Sequence, residues 1–584
     1  MSNPVSEPTQ AAARSPAERS GAAWALWAAA SSTPWLLPTH AAPWPSFYSE
    51  LLMAVLLLPV AAWVVCIARG RWSVDWLAVG FALAASVPAL QAFGGMFSFP
   101  GEATLVSLYL IGFALMLLVA RRAEEVAPSR LVDALFAGLA IAALCSTGLA
   151  IYQWLGLDSL GLMVLEPVIG GRPGANVGQP NNLSTLLVWG LVAIWWAHSR
   201  RQVGGAVVAV AAAFLLLGVM LTQSRTGWLA VGMLGIAAFV GRRVLRTSNQ
   251  APTWVALALW FLALILAFEP LSHFLLHEPA LSLGDQLVAG KRPAIWKMAL
   301  EASTQRPWLG YGWNQSIQAH VAMAAEFPLR TTVQNAHNLV LDLMLWNGLP
   351  LATLMVGGFG FWSYRVLRGG LTTERALLLL ALSVLLLHAM LELPHMYAFF
   401  LLPAAVMMGT LGALAPSPAA VKIPRVAVGL LVLLIAGVLI LMFDEYRRIE
   451  ASGLNALKRA ARIAKVAPNV EPDVKVLRSL QDALLALRTE PRRGMSAEEL
   501  DSLRRAFTRY PGDAGLLKYA LSAALNGRAN EARWALGILC RLNSIAKCQA
   551  AARSWSEVGA SGNPEVASIA FPFQESFPLT APAP

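Results

Sequence analysis

Three arginines stand in Gly-, Pro- or Ser-containing segments between apolar stretches, and they are the first candidates for a functional site. Arg172 lies in GGRPGANVGQPNN, Arg225 in TQSRTG and Arg292 in AGKRPAIWKMAL. A guanidinium group grips oxyanions through a planar fork of donors, so three of them on one face of the molecule predict a phosphate or diphosphate site. For any one arginine, contact with a lipid headgroup or a carboxylate is the alternative interpretation.

A histidine adds the potential for proton transfer. His337 stands in VQNAHNLVLDLMLWNGLP, where a polar segment turns into an apolar run. We predict Asn335 as the N-cap of a helix, which places His337 in the first turn. There the helix dipole disfavours the imidazolium and keeps the ring a neutral base, able to take a proton from an acceptor hydroxyl. The same helix start would attract a phosphate.

Further polar residues adjoin these motifs. His388 and Glu392 are four residues apart, so we expect them to share a helix face, either as a buried polar clamp or in direct catalysis. His40 lies in the loop PWLLPTHAAPWPSFYSE. Asp342, inside the next apolar run, is predicted to be a hydrogen-bonded structural group. The remaining secondary candidates, which rest on their proximity to the motifs alone, are Lys291, Gln179, Asn182, Tyr311 and Asn338.

The amino-acid composition indicates whether these residues belong to a water-soluble protein or a membrane protein. The chain has 584 residues, of which 57% are hydrophobic and only 13% charged, beyond what a water-soluble globule carries. The formal net charge of +11 could suggest nucleic-acid binding, but the Lys and Arg residues are not gathered on one domain and no groove-reading motif occurs. The sequence therefore predicts an all-α, polytopic membrane protein.

Apolar runs and arginines together predict the topology. About thirteen membrane-spanning helices are expected, beginning near residues 22, 50, 72, 103, 131, 183, 204, 227, 252, 338, 376, 398 and 426. With the amino terminus in the cytoplasm, nearly all the basic residues between the spans fall inside, as the positive-inside rule requires. Those residues are Arg14, Arg19, Arg69, Arg71, Arg121, Arg122, Arg130, Arg200, Arg201, Arg242, Arg243, Arg246, Arg365, Arg368, Arg375, Lys422 and Arg425.

Three regions follow from this topology. Residues 1–20 form a disordered cytoplasmic segment, residues 21–443 a transmembrane domain with a long outer loop at 269–336, and residues 444–584 an outer helical domain. Its stretch from Leu503 is typical of a tetratricopeptide-type helix pair. That domain is either a platform for a protein partner or a cap over the outer loops. Cys540 and Cys548 could form a disulfide there, and the sequence leaves this open.

The sequence lacks the motifs of several common kinds of catalytic and cofactor-binding site. It has no zinc-ligand spacing, phosphate-binding loop, dinucleotide fingerprint or nucleophile elbow, so we predict neither a metal nor a cofactor. An enzyme on the outer face has no ATP to use. It would need a donor that is already activated.

The motifs in this order resemble the superfamily of O-antigen ligases and protein O-oligosaccharyltransferases, and most closely its pilin-glycosylating branch of the PglL type. The resemblance covers most of the chain. It is carried by the His40 to Glu50 segment, GQPNN, SRTG, the Arg292 to Trp296 helix with WLGYGWN after it, NAHN, His388 to Pro394 and the helical tail. One departure is that Asn181 and Asn182 follow Gln179 and Pro180 where the family leads us to expect a histidine, so no catalytic role carries over to Asn182.

The resemblance implies a metal-independent, inverting transfer of a glycan from undecaprenyl diphosphate to an acceptor hydroxyl, in the bacterial inner membrane with the tail in the periplasm. His337 would assist the hydroxyl, and Arg172, Arg225 and Arg292 would hold the diphosphate. The acceptor would be a pilin-like protein or, alternatively, lipid A core. Two further candidate functions are a polymerase that extends the glycan and a transporter of the lipid-linked glycan, although a transporter usually keeps ionisable groups near the bilayer midplane.

Overall fold

The computed structural model describes residues 16–166, 171–247, 250–276, 290–415, 420–460, 462 and 472–572. Most of the predicted polar N-terminal segment lies outside these ranges, but the first helix already begins at Pro16.

Helices coincide with the predicted apolar runs, and one run is divided between two of them. In chain order they are α1 (Pro16–Ser31), α2 (Phe47–Ile67), α3 (Trp76–Ala84), α4 (Val87–Phe93), α5 (Gly101–Val126), α6 (Arg130–Trp154), α7 (Pro180–Ser199), α8 (Gly205–Leu221), α9 (Arg225–Val240) and α10 (Ala251–Leu276). Two helices of the long connection follow, α11 (Arg292–Gln305) and α12 (Ser316–Ala322). The bundle is completed by α13 (Leu339–Arg368), α14 (Thr373–Ala389), α15 (Ala398–Leu414) and α16 (Arg425–Ala460).

These helices confirm the prediction of a mostly helical membrane protein. Within the described ranges, seven helical segments are long and apolar enough to cross a membrane, and three further apolar helices are shorter. The seven are Phe47–Ile67, Trp76–Phe93, Gly101–Val126, Arg130–Trp154, Ala251–Leu276, Leu339–Arg368 and Arg425–Asn455. The number of thirteen spans stays a prediction.

The bundle has two chemically different ends. At one, which we call the basic end (residues 68–75, 121–130, 199–205, 241–247, 366–375 and 420–425), Arg200 pairs with Glu374, and the Arg122 guanidinium donates to the Arg69 carbonyl, 3.0 Å away. At the other, the loop end (residues 32–46, 155–166, 171–179, 222–225, 290–338 and 390–397), the connections pack on one another. One example there is the hydrogen bond from the Arg172 guanidinium to the Gln223 carbonyl, 3.0 Å long.

A small sheet at the basic end was not predicted. Strands β1 (Arg71–Val74) and β2 (Val421–Pro424) pair antiparallel, with Arg71 opposite Pro424 and Val74 opposite Val421. Trp72 is fully buried in this ribbon. Each strand has only four residues, too few to show a period of two in the sequence.

The long connection folds over the loop end as a small lobe with its own core. Its helices α11 and α12 bury Met298, Ala299 and Ile317. The turn before α12 fits against α13 where that helix is broken at Gly348, whose φ of 75° is accessible to glycine without strain. There the Leu349 amide donates to the Pro307 carbonyl over 2.7 Å.

The C-terminal domain is a layer of short helices on the same end of the bundle. These are α17 (Arg478–Arg488), α18 (Ala497–Arg509), α19 (Asp513–Leu525), α20 (Ala529–Leu542), α21 (Ile545–Ala560) and α22 (Pro564–Ala567). A disulfide joins Cys540 to Cys548, both fully buried. Helices α18 to α21 have 13, 13, 14 and 16 residues, and the tetratricopeptide-type assignment stays a prediction.

Buried contacts fix this layer to the bundle. The Arg509 guanidinium lies 2.8 Å from a carboxylate oxygen of Glu102 at the start of α5, and Gln315 donates to the same carboxylate over 2.6 Å. Helix α16 runs without interruption through residue 444, the predicted domain boundary. Bundle and layer are therefore continuous along one helix.

Candidate active site

One carboxylate at the loop end binds side chains from three separate segments. Glu392 Oε2 lies 2.9 Å from Nδ1 of His337, and Oε1 accepts from the Arg292 guanidinium and, over 3.2 Å, from the Asn181 amide. The Glu392 side chain is 15% exposed. Burial raises the pKa of this carboxyl, but His337 and Arg292 outweigh it and leave the pKa below its ordinary value. Glu392 is thus held as the anion.

The route of the chain explains why Glu392 reaches this point. Helix α14 ends at Ala389, and the Glu392 amide closes a turn on the His388 carbonyl over 2.7 Å. The prediction that His388 and Glu392 share a helix face was therefore wrong. His388 is fully buried inside the bundle, with Nδ1 2.7 Å from the Thr185 hydroxyl, whereas Glu392 lies beyond the helix.

His337 stands just before a helix rather than in it. Asn338, not Asn335, is the N-cap of α13, since its side-chain oxygen accepts from the amides of Val340 and Leu341 over 3.1 and 3.2 Å. The predicted cap at Asn335 was wrong, and His337 has a φ of 53°, in the left-handed region. His337 therefore lies outside the helix, and the argument that a position in the first turn keeps its ring neutral does not apply.

Ala336, the residue before His337, is held by hydrogen bonds to its amide and to its carbonyl. Asp342 Oδ1 accepts from the Ala336 amide over 2.8 Å, and the Trp296 indole donates to the Ala336 carbonyl over 3.0 Å. Asp342 also accepts from the Ser316 hydroxyl over 2.9 Å, which confirms its prediction as a structural polar group. Because Trp296 and Arg292 share α11, that helix positions both the arginine and the histidine.

The three arginines come together from two helix starts and one loop. Arg292 begins α11, Arg225 begins α9 behind its N-cap Ser224, and Arg172 reaches the Gln223 carbonyl just before that cap. Arg172 interacts electrostatically with Glu392 and with both other arginines. Burial, and then the two like charges, lower the pKa of Arg172, while Glu392 raises it. Arg172 is thus close enough to Arg225, Arg292 and Glu392 for their charges to interact.

Asn181, which the sequence reasoning passed over, links two of these segments. Its amide donates to Glu392, and its side-chain oxygen accepts from the Ser224 hydroxyl over 2.7 Å. Asn181 is the second residue of α7, and Ser224 caps α9, so the starts of two helices are joined beside Glu392. The signal in the sequence was an amide residue directly after the helix-starting proline of GQPNN.

Other predicted residues support the site rather than line it. Gln179 is the N-cap of α7 and accepts from the Asn182 amide over 2.6 Å. Asn182 is 4% exposed, and a side-chain hydrogen bond joins it to Tyr397. Asn338 donates to the Met390 carbonyl over 3.2 Å, which ties the His337 segment to the Glu392 segment.

Three candidates are not among the hydrogen-bond partners of this carboxylate. His40 Nε2 is 2.9 Å from the Asn176 carbonyl, so it braces the loop after Arg172, and burial lowers its pKa despite that contact. Tyr311 is 2% exposed, and its hydroxyl donates to the Ala302 carbonyl over 3.4 Å, under α11. Lys291 precedes α11 and is exposed.

The side chains of this site suit an anion. Four helices, α7, α9, α11 and α13, begin at it, and helix starts carry partial positive charge and unpaired amides. Within the described part of the chain, no group of three or more His, Cys, Asp or Glu residues is arranged to hold a metal ion. The arrangement can bind a diphosphate and offers one imidazole, oriented by a carboxylate, for proton transfer.

Comparison with known proteins agrees with this chemistry. A family model described as O-antigen ligase matches residues 210–356, and one described as virulence factor membrane-bound polymerase, C-terminal, matches residues 376–539. The chain is 30% identical over 534 residues to the general O-oligosaccharyltransferase of Acinetobacter baylyi, which covers 89% of this chain and 92% of the relative. It is 26% identical over 246 residues to the ComP-specific O-oligosaccharyltransferase of the same organism, covering 41% and 44% of the two chains.

The fold and the site thus define a membrane-embedded glycosyltransferase. Specifically, the chain belongs to the family of the general O-oligosaccharyltransferases, as the resemblance of its motifs implied.

Proposed function

We propose that this protein transfers an oligosaccharide en bloc from undecaprenyl diphosphate to a Ser or Thr hydroxyl of a pilin-like or other periplasmic protein. The observation that carries the proposal is the cluster of Arg172, Arg225 and Arg292 around the Glu392–His337 pair. A sugar diphosphate places its leaving-group charge where such a cluster neutralises it. The names of both relatives support an oligosaccharide as the transferred group.

The proposed roles of His337 and Glu392 follow from their hydrogen bond. With Nδ1–H donating to the Glu392 carboxylate, Nε2 is the unprotonated nitrogen and can accept a proton. The acceptor hydroxyl attacks the anomeric carbon while its proton passes to Nε2. Glu392 stabilises the imidazolium that forms, and it remains ionised itself because its pKa is held low.

The arginines act on the other side of the sugar. As the new C–O bond forms, the bond from the anomeric carbon to the diphosphate oxygen breaks, and both electrons leave with the diphosphate. Arg172, Arg225 and Arg292 take up that charge, together with the starts of α7, α9 and α11. Attack from the face opposite the leaving group inverts the anomeric centre.

The proposed orientation puts the loop end in the periplasm and the amino terminus in the cytoplasm of the inner membrane. Two observations support it. The arginines between spans gather at the basic end, as expected of a cytoplasmic face. The disulfide Cys540–Cys548 lies in the layer on the other end, and disulfides persist in oxidising compartments.

The test supplies purified full-length enzyme with a lipid-linked glycan and either a pilin-like protein or lipid A core. Glycosylated protein from the wild type, lost in His337→Ala and retained in His198→Ala, which removes an imidazole from the opposite end of α7, supports the proposal. Product on lipid A core alone makes the protein an O-antigen ligase. Longer lipid-linked glycan without transfer makes it a polymerase, which the C-terminal family match also favours.

A further inference from the structure

A polar pocket lies at the basic end of the bundle, where three helices meet. Helices α7 and α9 end there, and α14 begins there. Every residue that lines the pocket has a polar or charged side chain, and the lining includes Arg200, Arg201, Arg246, Thr372, Thr373 and Glu374. Three arginines and a single carboxylate in this lining give the pocket an excess of positive charge.

Contacts between the three segments fix the walls of the pocket. The Thr373 hydroxyl donates to the Val244 carbonyl over 2.7 Å and joins the start of α14 to the turn after α9. The ion pair of Arg200 with Glu374 joins the end of α7 to α14. Because α14 starts at the pocket, the amides of its first turn add partial positive charge. The basic groups are therefore held together before any ligand binds.

Two of the three arginines in the lining keep an unpaired guanidinium. Arg200 is offset by Glu374 and by Asp133, whose carboxylate lies 3.6 Å away. Within the described part of the chain, the side chains of Arg201 and Arg246 have neither an ion pair nor a hydrogen bond. Guanidinium groups bind phosphate oxygens through two parallel hydrogen bonds. Two of them in one pocket thus favour a phosphate as the ligand.

The backbone at these two arginines is of a kind that favours glycine. φ is 57° at Arg201 and 56° at Arg246, in the left-handed region. The positive-inside rule alone requires only charge at this end of the bundle. That requirement is equally met by an arginine bonded to the protein, such as Arg71, which donates to the Lys422 carbonyl over 2.9 Å. It does not explain why two unpaired arginines occupy disfavoured backbone positions around one pocket.

The protein surface beside the pocket is apolar. In the last turns of α9, the side chains of Ile236, Phe239 and Val240 are 67%, 73% and 77% exposed, as expected of a lipid-facing surface. The turn that carries Arg246 folds back onto this helix, since the hydroxyl of the next residue, Thr247, donates to the α9 backbone at residue 238 over 2.7 Å. A molecule with acyl chains and a phosphate can therefore contact α9 and the pocket together.

We propose that the pocket binds the phosphate of an anionic phospholipid headgroup. The guanidiniums of Arg201 and Arg246 and the start of α14 hold the phosphate oxygens, while the acyl chains lie along the exposed face of α9. Basic pockets between membrane helices bind such headgroups. A free phosphate ion offers the same oxygens but cannot use the apolar surface. The inference depends neither on the proposed glycan transfer nor on the proposed orientation.

A lipid in this pocket connects the far ends of the helices that position the candidate active site. Asn181 lies at the start of α7, Arg225 begins α9, and Glu392 follows the end of α14. Each of these helices reaches the pocket with its other end. The bound headgroup would thus brace the three helices at the end of the bundle opposite the site.

The test measures binding to the purified full-length protein in a neutral detergent by thermal unfolding. The probes are short-chain phosphatidylglycerol, short-chain phosphatidylcholine and inorganic phosphate, since a ligand of the folded state raises the unfolding temperature with its concentration. Phosphatidylglycerol should act at the lowest concentration. An equal effect of phosphatidylcholine would overturn recognition of an anionic headgroup. An equal effect of inorganic phosphate would assign the pocket to a free ion and overturn the lipid.

A double variant and its matched control separate the pocket from charge in general. Arg201→Gln with Arg246→Gln should bind phosphatidylglycerol about ten- to a hundredfold more weakly, as for the loss of one charge-assisted hydrogen bond or more. Arg69→Gln with Arg243→Gln removes the same charge from exposed positions of the basic end outside the pocket lining, and it should bind like the wild type. Equal losses in the two double variants would contradict the proposal.

A second measurement uses the wild type alone, in bilayer nanodiscs. A phosphatidylglycerol with a photoreactive group on its headgroup should label residues within 199–205, 241–247 or 371–375, and unlabelled phosphatidylglycerol should suppress this labelling. Equal labelling of residues 68–75 and 420–425, at the same end but outside the pocket, would overturn the proposal. Neither measurement involves glycan transfer, so a failure of the lipid site is distinguishable from a failure of the proposed function.

Discussion

Nδ1 of His337 lies 2.9 Å from Oε2 of Glu392, although 55 residues separate them in the chain. The carboxylate is itself anchored by Arg292 and Asn181, so it holds the imidazole in one orientation and one tautomer. The pair connects the predicted base to the predicted diphosphate site through one shared residue.

Replacing Glu392 by Gln should lower kcat/KM for glycan transfer about a hundredfold, because the imidazolium loses its counter-charge and its orientation. Glu301→Gln, an exposed change on α11, is the control and should leave transfer unchanged. Equal rates for Glu392→Gln and the wild type would remove Glu392 from the mechanism.

The lowered pKa of Glu392 also predicts a pH dependence of stability. Because the folded-state pKa is below the ordinary value of 4.5, the ionised carboxylate stabilises the fold above that pH, and this contribution is lost as the pH falls through the folded pKa. Thermal unfolding between pH 3 and pH 6, a window of about one to two units around that value, should show a steeper acid loss for the wild type than for Glu392→Gln. Parallel curves would contradict the assignment.

Trp296→Phe tests the link between α11 and His337. The ring is kept, but the hydrogen bond to the Ala336 carbonyl is lost, so we expect kcat to fall about fivefold, the equivalent of the ~1 kcal/mol that one hydrogen bond contributes. The KM for the donor should not change. Trp308→Phe, at a side chain that is 77% exposed, serves as the control. A change in donor KM alone would assign Trp296 to binding.

Inorganic pyrophosphate should bind to the unliganded enzyme and raise its unfolding temperature, since the arginine cluster brings three guanidiniums together with one carboxylate. In Arg172→Gln the affinity should be about ten- to a hundredfold weaker, because a hydrogen bond to a charged group contributes roughly 1.5–3 kcal/mol. Arg306→Gln removes a guanidinium that lies over the Tyr311 ring instead, and it should bind pyrophosphate as the wild type does. Isothermal titration gives the affinities, and identical values for all three proteins would be evidence against the site.

The disulfide gives a test of orientation. If the C-terminal layer is periplasmic, alkylation of denatured protein taken directly from cells should label two of the four cysteines, Cys66 and Cys145, and all four only after reduction. Labelling of all four before reduction would contradict the periplasmic assignment. A Cys540→Ser, Cys548→Ser variant should lose about 2–3 kcal/mol of stability in the layer, the loop-closure value for so short a loop.

Properties local to the chain were predictable from the sequence. Apolar runs located the helices. The alternation of connections between the two ends of the bundle separated Arg172, Arg225 and Arg292 from the arginines of the basic end. Pairings across the bundle were not predictable. The contacts of Glu392 with His337 and of Asn181 with Ser224 depend on how α7, α9 and α14 pack, which no single segment specifies.

The misplaced helix cap has a local cause that only the fold reveals. Asn335 and Asn338 are both suitable N-cap residues, three positions apart. The fold uses the second because Asp342 and Trp296 bind the Ala336 peptide and keep the chain out of the helix up to His337.

Helix α16 extends over 36 residues from the basic end into the C-terminal layer. Its Tyr446 stacks on Phe47 of α2 with ring centroids 3.8 Å apart. A continuous helix resists bending, so a displacement of its outer half tilts the inner half as well. Movement of the C-terminal layer would therefore be transmitted along α16 to the packing of its apolar half against α2.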